Sequence, residues 1–387
     1  MTREVRIAHK SNVFLEIFAV AAPGLETILA RELEGLGIIG AEVVEGGVSF
    51  RGNIAQLYEA NLALRVASRV IVRVARFHAD SFHELERRAK KIPWNEYLAP
   101  GARVRFRVTC RKSRLYHSDA VAQRFADAVN ARIGNVSIET ATDDDDSADA
   151  APTQLFIVRI THDDCVVSVD SSGELLHRRG YRLATGKAPL RETLAAAMVL
   201  ASGWDPARPL IDPMCGSGTI AIEAALLARG IAPGINRTFA FQNWPSYQKE
   251  VWQQLILKGS VRGIIGVILA SDRDDGVVKM AVENATRAGL REAIQFERKA
   301  VSAINPPQPP GSVITNPPYG ARVGETGPLR NLYAQLGKTL RSKAPGYSLA
   351  FLSADRKLDA ALKIPLETEL RTTNGGIPVR LMRGVIQ

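Results

Sequence analysis

Cysteine is scarce in this 387-residue chain. The three present, Cys110, Cys165 and Cys215, lie far apart with no metal-ligand spacing. That excludes a disulfide framework, predicts no metal, and fits reduced thiols in a cytosolic setting. Long apolar runs are missing as well. No stretch approaches the ~18 residues a membrane span needs, and no charged-then-apolar leader opens the sequence. The expectation is a soluble, cytoplasmic protein with no membrane partner. Acidic residues are also in deficit, 40 against 50 Lys and Arg, for a formal charge of +10 and a pI near 9.6. Such a balance suits a polyanionic partner. The length predicts two or three domains, and 46% hydrophobic content suffices for real cores.

The stretch that organises the chain is Pro209 to Thr219. A short apolar run, Leu210-Ile211, passes through Asp212-Pro213 into Gly216-Ser217-Gly218 and then into a strong helix former, Thr219 to Leu227. Strand, glycine turn and helix is how an open α/β sheet presents a nucleotide-like ligand at the carboxyl end of its first strand. The third glycine of a dinucleotide fingerprint is absent, since Ala221 stands there.

A second stretch, Thr315-Asn-Pro-Pro-Tyr-Gly320, follows a buried strand over Ser312–Thr315. The exocyclic amino group of a base is a poor nucleophile because its lone pair is delocalised into the ring. The Asn316 side-chain carbonyl and the carbonyl of Pro317 can accept its two N–H bonds and push the nitrogen towards sp³. Pro317 and Pro318 stiffen the backbone and preorganise both acceptors. Tyr319 offers a flat ring on which an extruded base can stack. The bland alternative is a Pro-Pro turn after a buried strand. Arg322 is a further candidate for phosphate or base contact.

Between the two motifs, Gly263–Asp272 predicts a second buried parallel strand ending in Ser271-Asp-Arg-Asp274. An acid at that tip can accept both ribose hydroxyls. The competing role for Asp272 or Asp274 is a helix N-cap. A third strand is expected over 294–299, a fifth over 347–352, and a closing hairpin across Asn374-Gly375-Gly376.

The N-terminal part predicts strand 14–20, helix 25–33, a hairpin across 45–47, helix 53–64 and strand 66–74. This βαββαβ order suggests a ferredoxin-like module. Helix 81–91 comes next, and then Arg103-Val-Arg-Phe-Arg-Val108 alternates three arginines with apolar residues. In a strand, Arg103, Arg105 and Arg107 share one face. Residues 65–132 hold 16 Lys/Arg against 6 Asp/Glu, whereas 139–174 hold 1 against 10. With Arg111, Lys112 and Arg114 following, the arginine strand reads as a phosphate-contacting surface, the alternative being a solvated face. The acidic run 142–149 is low-complexity.

Asp-Pro-x-Cys-Gly-Ser-Gly-Thr resembles the first motif of the class I S-adenosylmethionine (AdoMet) methyltransferases, and Asn-Pro-Pro-Tyr agrees with it. Residues 14–170, with Phe50-Arg-Gly-Asn and Asn61-Leu-Ala-Leu-Arg, resemble a ferredoxin-like lobe followed by a THUMP domain, an RNA-binding pair of tRNA and rRNA modification enzymes. The run from His177 to Glu192 is similar to that of bacterial rRNA guanine-N2 methyltransferases, in which the helix it enters packs beside the cofactor pocket. The resemblance implies an α/β fold: a Rossmann-like methyltransferase domain (181–387) with a seven-stranded mixed sheet, preceded by α+β ferredoxin-like (12–76) and THUMP (77–172) domains. It implies AdoMet bound by Asp212, Pro213, Cys215, Gly216, Ser217, Gly218, Thr219, Asp272, Asp274 and Val301. Relatives carry an aspartate for adenine after strand three, where this chain has Ala300.

The implied substrate is RNA, with guanine N2 of large-subunit rRNA as the target. A tRNA guanine-N2 enzyme, a DNA adenine-N6 enzyme and a non-catalytic RNA-binding factor are the alternatives. A cysteine nucleophile is not expected, since Cys215 lies inside the cofactor turn. Arg178, Arg179 and Arg182 suit either RNA or an interdomain contact. The insert from Arg229 to Trp252 is expected near the nucleotide pocket, with Phe241 and Trp244 either there or in the core.

Overall fold

The computed structural model describes residues 14–139, 153–182, 190–257, 266–319 and 326–387. The acidic run 142–149, residues 183–189 of the His177–Glu192 run, Arg322 and the first residues of the expected 263–272 strand lie outside them. Two sheets form the molecule. The first is built from β1 (Leu15–Ala21), β2 (Glu42–Val44), β3 (Gly47–Gly52), β4 (Ala67–His78), β5 (Arg103–Arg111), β6 (Ser137–Glu139), β7 (Thr153–Thr161) and β8 (Asp164–Asp170). Their order is β2-β3-β1-β4-β8-β7-β5-β6, with helices α1 (Glu26–Gly35) and α2 (Ile54–Ala63) completing the βαββαβ lobe. Asn53 and Gln56 close a reciprocal capping box that starts α2.

The ferredoxin-like and THUMP parts therefore share one sheet. The shared element is β4, which runs to His78 rather than ending at residue 74. It pairs with β1 along its first half and with β8 along its second. Next in the chain is α3 (Phe82–Ala89). Helix α4 (Ser118–Ile133) is not among the expected elements, although Val121, Phe125 and Val129 recur at four-residue spacing and are buried. The other two of its five buried residues are alanine, which carries a weak periodic signal.

The second sheet has the order β11-β10-β9-β12-β13-β15-β14. Its strands are β9 (Leu210–Asp212), β10 (Ile268–Asp272), β11 (Gln295–Arg298), β12 (Ser312–Thr315), β13 (Ser348–Ser353), β14 (Glu367–Asn374) and β15 (Ile377–Val385). β9 to β13 are parallel, and β15 runs antiparallel to both β13 and β14. The chain winds outward from β9 through β10 to β11 and then returns to β12 on β9's other side. The carboxyl edge at that reversal is the crevice where open α/β sheets bind ligands. Helices α5 (Glu192–Ser202), α6 (Thr219–Ala228), α7 (Lys249–Leu257), α8 (Asp275–Arg287), α9 (Thr326–Lys343) and α10 (Arg356–Ala361) complete this half.

Buried charge joins the two halves. Arg179 sits 3.4 Å from Glu223 on α6 and donates to the carbonyl of Arg65 in the connection between α2 and β4 of the first lobe. Arg65 itself reaches the carbonyl of Ile231, and Glu32 accepts the amides of Arg65 and Val66. Arg182 pairs with Glu192 at 3.0 Å. Arg179 and Arg182 are thus interdomain and helix-anchoring residues, which decides the choice left open for them.

The Arg229–Trp252 insert belongs to the same interface. Phe241 stacks on Tyr58 of α2 at 4.2 Å, Phe239 stacks on Phe241, and Trp244 donates to Gln154 at 2.7 Å. Of the two placements left open for Phe241 and Trp244 the structure shows the core one: their large apolar area is buried against the N-terminal half. Gly24, at φ +83°, lies so close to β14 that a Cβ would fall 1.8 Å from the carbonyl oxygen of Arg371.

Removing one partner of a buried ion pair strands the other. Arg179→Ala is expected to destabilise the protein by about 3–5 kcal/mol. Exposed Arg111→Ala should fall within about 0.5 kcal/mol of wild type. Denaturant unfolding of both variants checks this, and equal stabilities would refute the interface role of Arg179.

Candidate active site

The first half of the site is the turn after β9. Asp212 ends that strand fully buried and accepts the hydroxyl of Thr315 at 2.7 Å and the amide of Met214 at 3.3 Å. Thr315 ends β12, so this bond fastens the tips of the two strands on either side of the topological reversal. Pro213 is buried, and the amide of Cys215 donates to the Ser271 carbonyl at 2.9 Å. Burial pushes the Cys215 thiol well above its ordinary range, as suits a packed side chain and not a nucleophile.

The two glycines of the turn serve different ends. Both hold positive φ, +51° at Gly216 and +82° at Gly218. A Cβ on Gly218 would press on Ala281 at 3.0 Å and on the Phe296 ring at 3.3 Å, so this glycine permits helix–strand packing. A Cβ on Gly216 would meet nothing within 4 Å, so bare backbone faces open space there. Ser217 Oγ lies 3.4 Å from the buried Thr219 hydroxyl, and Asn284 of α8 donates to the Ser217 carbonyl at 3.0 Å. Asn284 is a support that sequence reasoning missed; its signal is only one polar residue on an otherwise apolar helix face.

Asp272, at the end of β10, accepts the Gly216 amide at 3.2 Å and the Asp274 amide at 3.1 Å through different oxygens. Each oxygen keeps a further lone pair. Asp274 has a different occupation. It is the N-cap of α8, accepting from Gly276 at 2.8 Å and Val277 at 3.3 Å. Asp272 is brought to the glycine turn, whereas the Asp274 carboxylate is engaged by its helix. Val301 opens a short 3-10 turn after β11, its side chain buried with Ile211 and Val313.

The other half of the site follows β12. Asn316 is partly buried, and its carbonyl oxygen Oδ1 has neither solvent nor a hydrogen-bond partner. Pro317 is buried and Pro318 exposed. Tyr319 is half-buried, and its hydroxyl accepts from Asn374 Nδ2 at 2.5 Å. Burial pushes the Tyr319 phenol up, so it stays protonated. Asn374 was not expected in the site.

The arginine strand is more heavily paired than its spacing suggested. The alternation on β5 is present, with Val104 and Phe106 buried. Yet Arg103 and Arg105 both pair with Glu139, at 3.4 and 3.5 Å, and Arg105 is largely buried. Arg114 pairs with Asp80 at 2.7 Å. Arg107, Arg111 and Lys112 are exposed beside them. Of the six cations named as phosphate-contact candidates, Arg103 and Arg105 are thus engaged by an acid from neighbouring β6, and Arg114 by Asp80.

Burial lifts the Asp212 carboxyl from an ordinary 3.8 to about 7, against the opposing bonds from Thr315 and Met214. A folded-state pKa raised in this way gives a contribution fully present below the unfolded value and lost as pH rises through the folded one. Asp212→Asn keeps an acceptor for Thr315 and Met214 without the desolvated charge. Its stability should match wild type below about pH 4 and exceed it by a few kcal/mol above about pH 7. Thermal unfolding of the cofactor-free protein across that window checks this; a difference independent of pH would contradict it.

Comparison with known proteins agrees with these features. Residues 179–380 match the RMKL-like methyltransferase domain, 16–71 the RlmL ferredoxin-like domain, and 79–170 the THUMP domain. A protein from Listeria monocytogenes, described as a predicted N6-adenine-specific DNA methylase, is 32% identical over 96% of both chains, with a TM-score of 0.83. The crystal structure of a methyltransferase complexed with SAH is 28% identical over 97% of this chain and 99% of that one, with a TM-score of 0.85. TrmN from Thermus thermophilus shares the fold, at 24% identity over 96% and 99% of the chains and a TM-score of 0.71. A glycine turn open to ligand, an acid at the next strand tip and Asn-Pro-Pro-Tyr across the crevice thus occur together in a chain that belongs to the RMKL-like methyltransferase family.

Proposed function

We propose that this protein uses AdoMet to methylate an exocyclic amino group on an RNA base, with guanine N2 of large-subunit rRNA as the target. One observation carries the chemistry: Asn316 Oδ1 is buried with no partner. An acceptor kept dry and unpaired costs about 1–3 kcal/mol. It is repaid when a substrate N–H arrives.

The residues present fit the cofactor. Gly216 leaves bare backbone facing open space, and Asp272 beside it retains lone pairs for ribose hydroxyls. Asp272 is the ribose ligand on this reading, and Asp274 the helix cap. Met214, Cys215, Ser217 and Thr219 shape the turn, while backbone around Ala300 and Val301 meets the adenine where an acid is missing. When bound, AdoMet supplies a methyl group on a sulfonium already activated for transfer.

The chain's own part is positioning and electrostatics. Asn316 Oδ1 and the Pro317 carbonyl accept the two amino hydrogens, which localises the nitrogen lone pair and aims it at the methyl. Tyr319 stacks on the extruded base. Neither amide acceptor takes a proton, so the one released on methylation leaves to solvent.

RNA as substrate is supported by the THUMP match and by the local basic excess over residues 65–132, 16 Lys/Arg against 6 Asp/Glu. Arg107, Arg111 and Lys112 face solvent for phosphate contacts. The rRNA assignment rests on the RlmL-type ferredoxin-like match and on the His177–Glu192 resemblance. The Listeria relative's description favours a second reading, adenine N6 of DNA, which the same tetrapeptide serves.

Mass spectrometry of nucleosides from a deletion strain tests these readings. Loss of N2-methylguanosine from large-subunit rRNA is expected. Loss from tRNA alone, or loss of N6-methyladenine from DNA, would overturn the rRNA assignment.

A further inference from the structure

The base-stacking ring is gripped by a residue from the far edge of the sheet. β14 is antiparallel to β15, and β15 is antiparallel to β13, so β14 runs parallel to β9, β10 and β12. Its last residue, Asn374, therefore emerges at the same carboxyl edge as Thr315, the last residue of β12. Gly375 and Gly376 follow with φ of +57° and +82°, the pair of positive values a two-residue type I′ hairpin needs. That turn fixes where Asn374 points.

From there its Nδ2 donates to the Tyr319 hydroxyl at 2.5 Å. The hairpin is no free arm: Leu370 and Ile377 pack on the main core, and the Arg371 carbonyl abuts Gly24 of the N-terminal lobe. Tyr319 follows two prolines in the irregular stretch after β12, so its own backbone is not held in a strand ladder. A hydrogen bond at the para position restrains the swing of the ring directly, and its tilt through the preference of the phenolic lone pairs for the ring plane.

We propose that Asn374 is a positioning residue for the reaction, holding the Tyr319 ring in the plane on which the target base stacks. The inference rests on Tyr319 being the base platform. It predicts that the hairpin sets the angle at which the amino group meets the two carbonyl acceptors. The RNA affinity set by the N-terminal half is untouched.

The test is a double-mutant cycle. Methyl transfer from labelled AdoMet to total RNA of the deletion strain is measured for Asn374→Ala, Tyr319→Phe, their combination, Asn374→Asp and Tyr319→Leu. AdoMet affinity by calorimetry serves as the control for an intact fold and cofactor site. One neutral hydrogen bond is worth about a fivefold change. Asn374→Ala and Tyr319→Phe should each lower kcat about fivefold with KM for RNA and AdoMet affinity unchanged. The combination should be no worse than Tyr319→Phe alone, and Asn374→Asp, which can accept from the phenol instead, should restore most of kcat. Full activity of Asn374→Ala beside an inactive Tyr319→Leu overturns the role of Asn374 and leaves the platform standing. Multiplying effects in the combination overturn it too, since they mark a general structural role. Full activity of Tyr319→Leu removes the platform and the inference with it.

Discussion

A carbonyl oxygen held out of water with nothing to accept is an uncommon feature of a folded protein, and the organisation of this chain converges on one, Asn316 Oδ1. The atom stays there because its surroundings leave it little choice. Thr315, one residue earlier, is bonded to Asp212 across the strand reversal, and two prolines follow. The Thr315–Asp212 bond also sets the spacing between the glycine turn and the Asn-Pro-Pro-Tyr loop. It has a cost: a carboxyl buried there resists ionisation. Carrying that strain at the junction of two functional loops is what preorganisation requires.

The two halves are packed as one interface of buried charge and stacked aromatics. Glu223 lies on the helix that leaves the glycine turn, and through Arg179 it reaches the α2–β4 connection of the ferredoxin-like lobe. The insert that follows this helix continues the interface through Phe241 and Tyr58. The N-terminal half is in this way fixed relative to the glycine turn by contacts that tolerate little sliding, because displaced charges would be left unpaired in a low-dielectric interior.

The sequence made the local chemistry legible and the distant contacts illegible. Strand, glycine turn and helix at 209–227, Asn-Pro-Pro-Tyr, the βαββαβ order and the closing hairpin all rest on short-range rules of turn geometry and periodicity, and each is present. Asp272 and Asp274 were indistinguishable in sequence because both are acids near a strand tip; only their hydrogen bonds assign one to the glycine turn and the other to a helix cap. The arginines of β5 alternate as their spacing requires, yet Glu139, on a strand of three residues, neutralises two of them. Phe241 and Trp244 could not be placed because aromatic content says that a segment is buried without saying against what. Asn374 had no signal beyond its hairpin turn, since its partner lies 55 residues away.

The central claim is that methyl transfer depends on an amide oxygen that does nothing else. The most direct measurement is single-turnover methyl transfer by Asn316→Ala on RNA from a deletion strain, with AdoMet affinity followed in parallel. The account predicts transfer slowed on the order of 100-fold or more in a protein that folds and binds AdoMet as before. Transfer at the wild-type rate would contradict it.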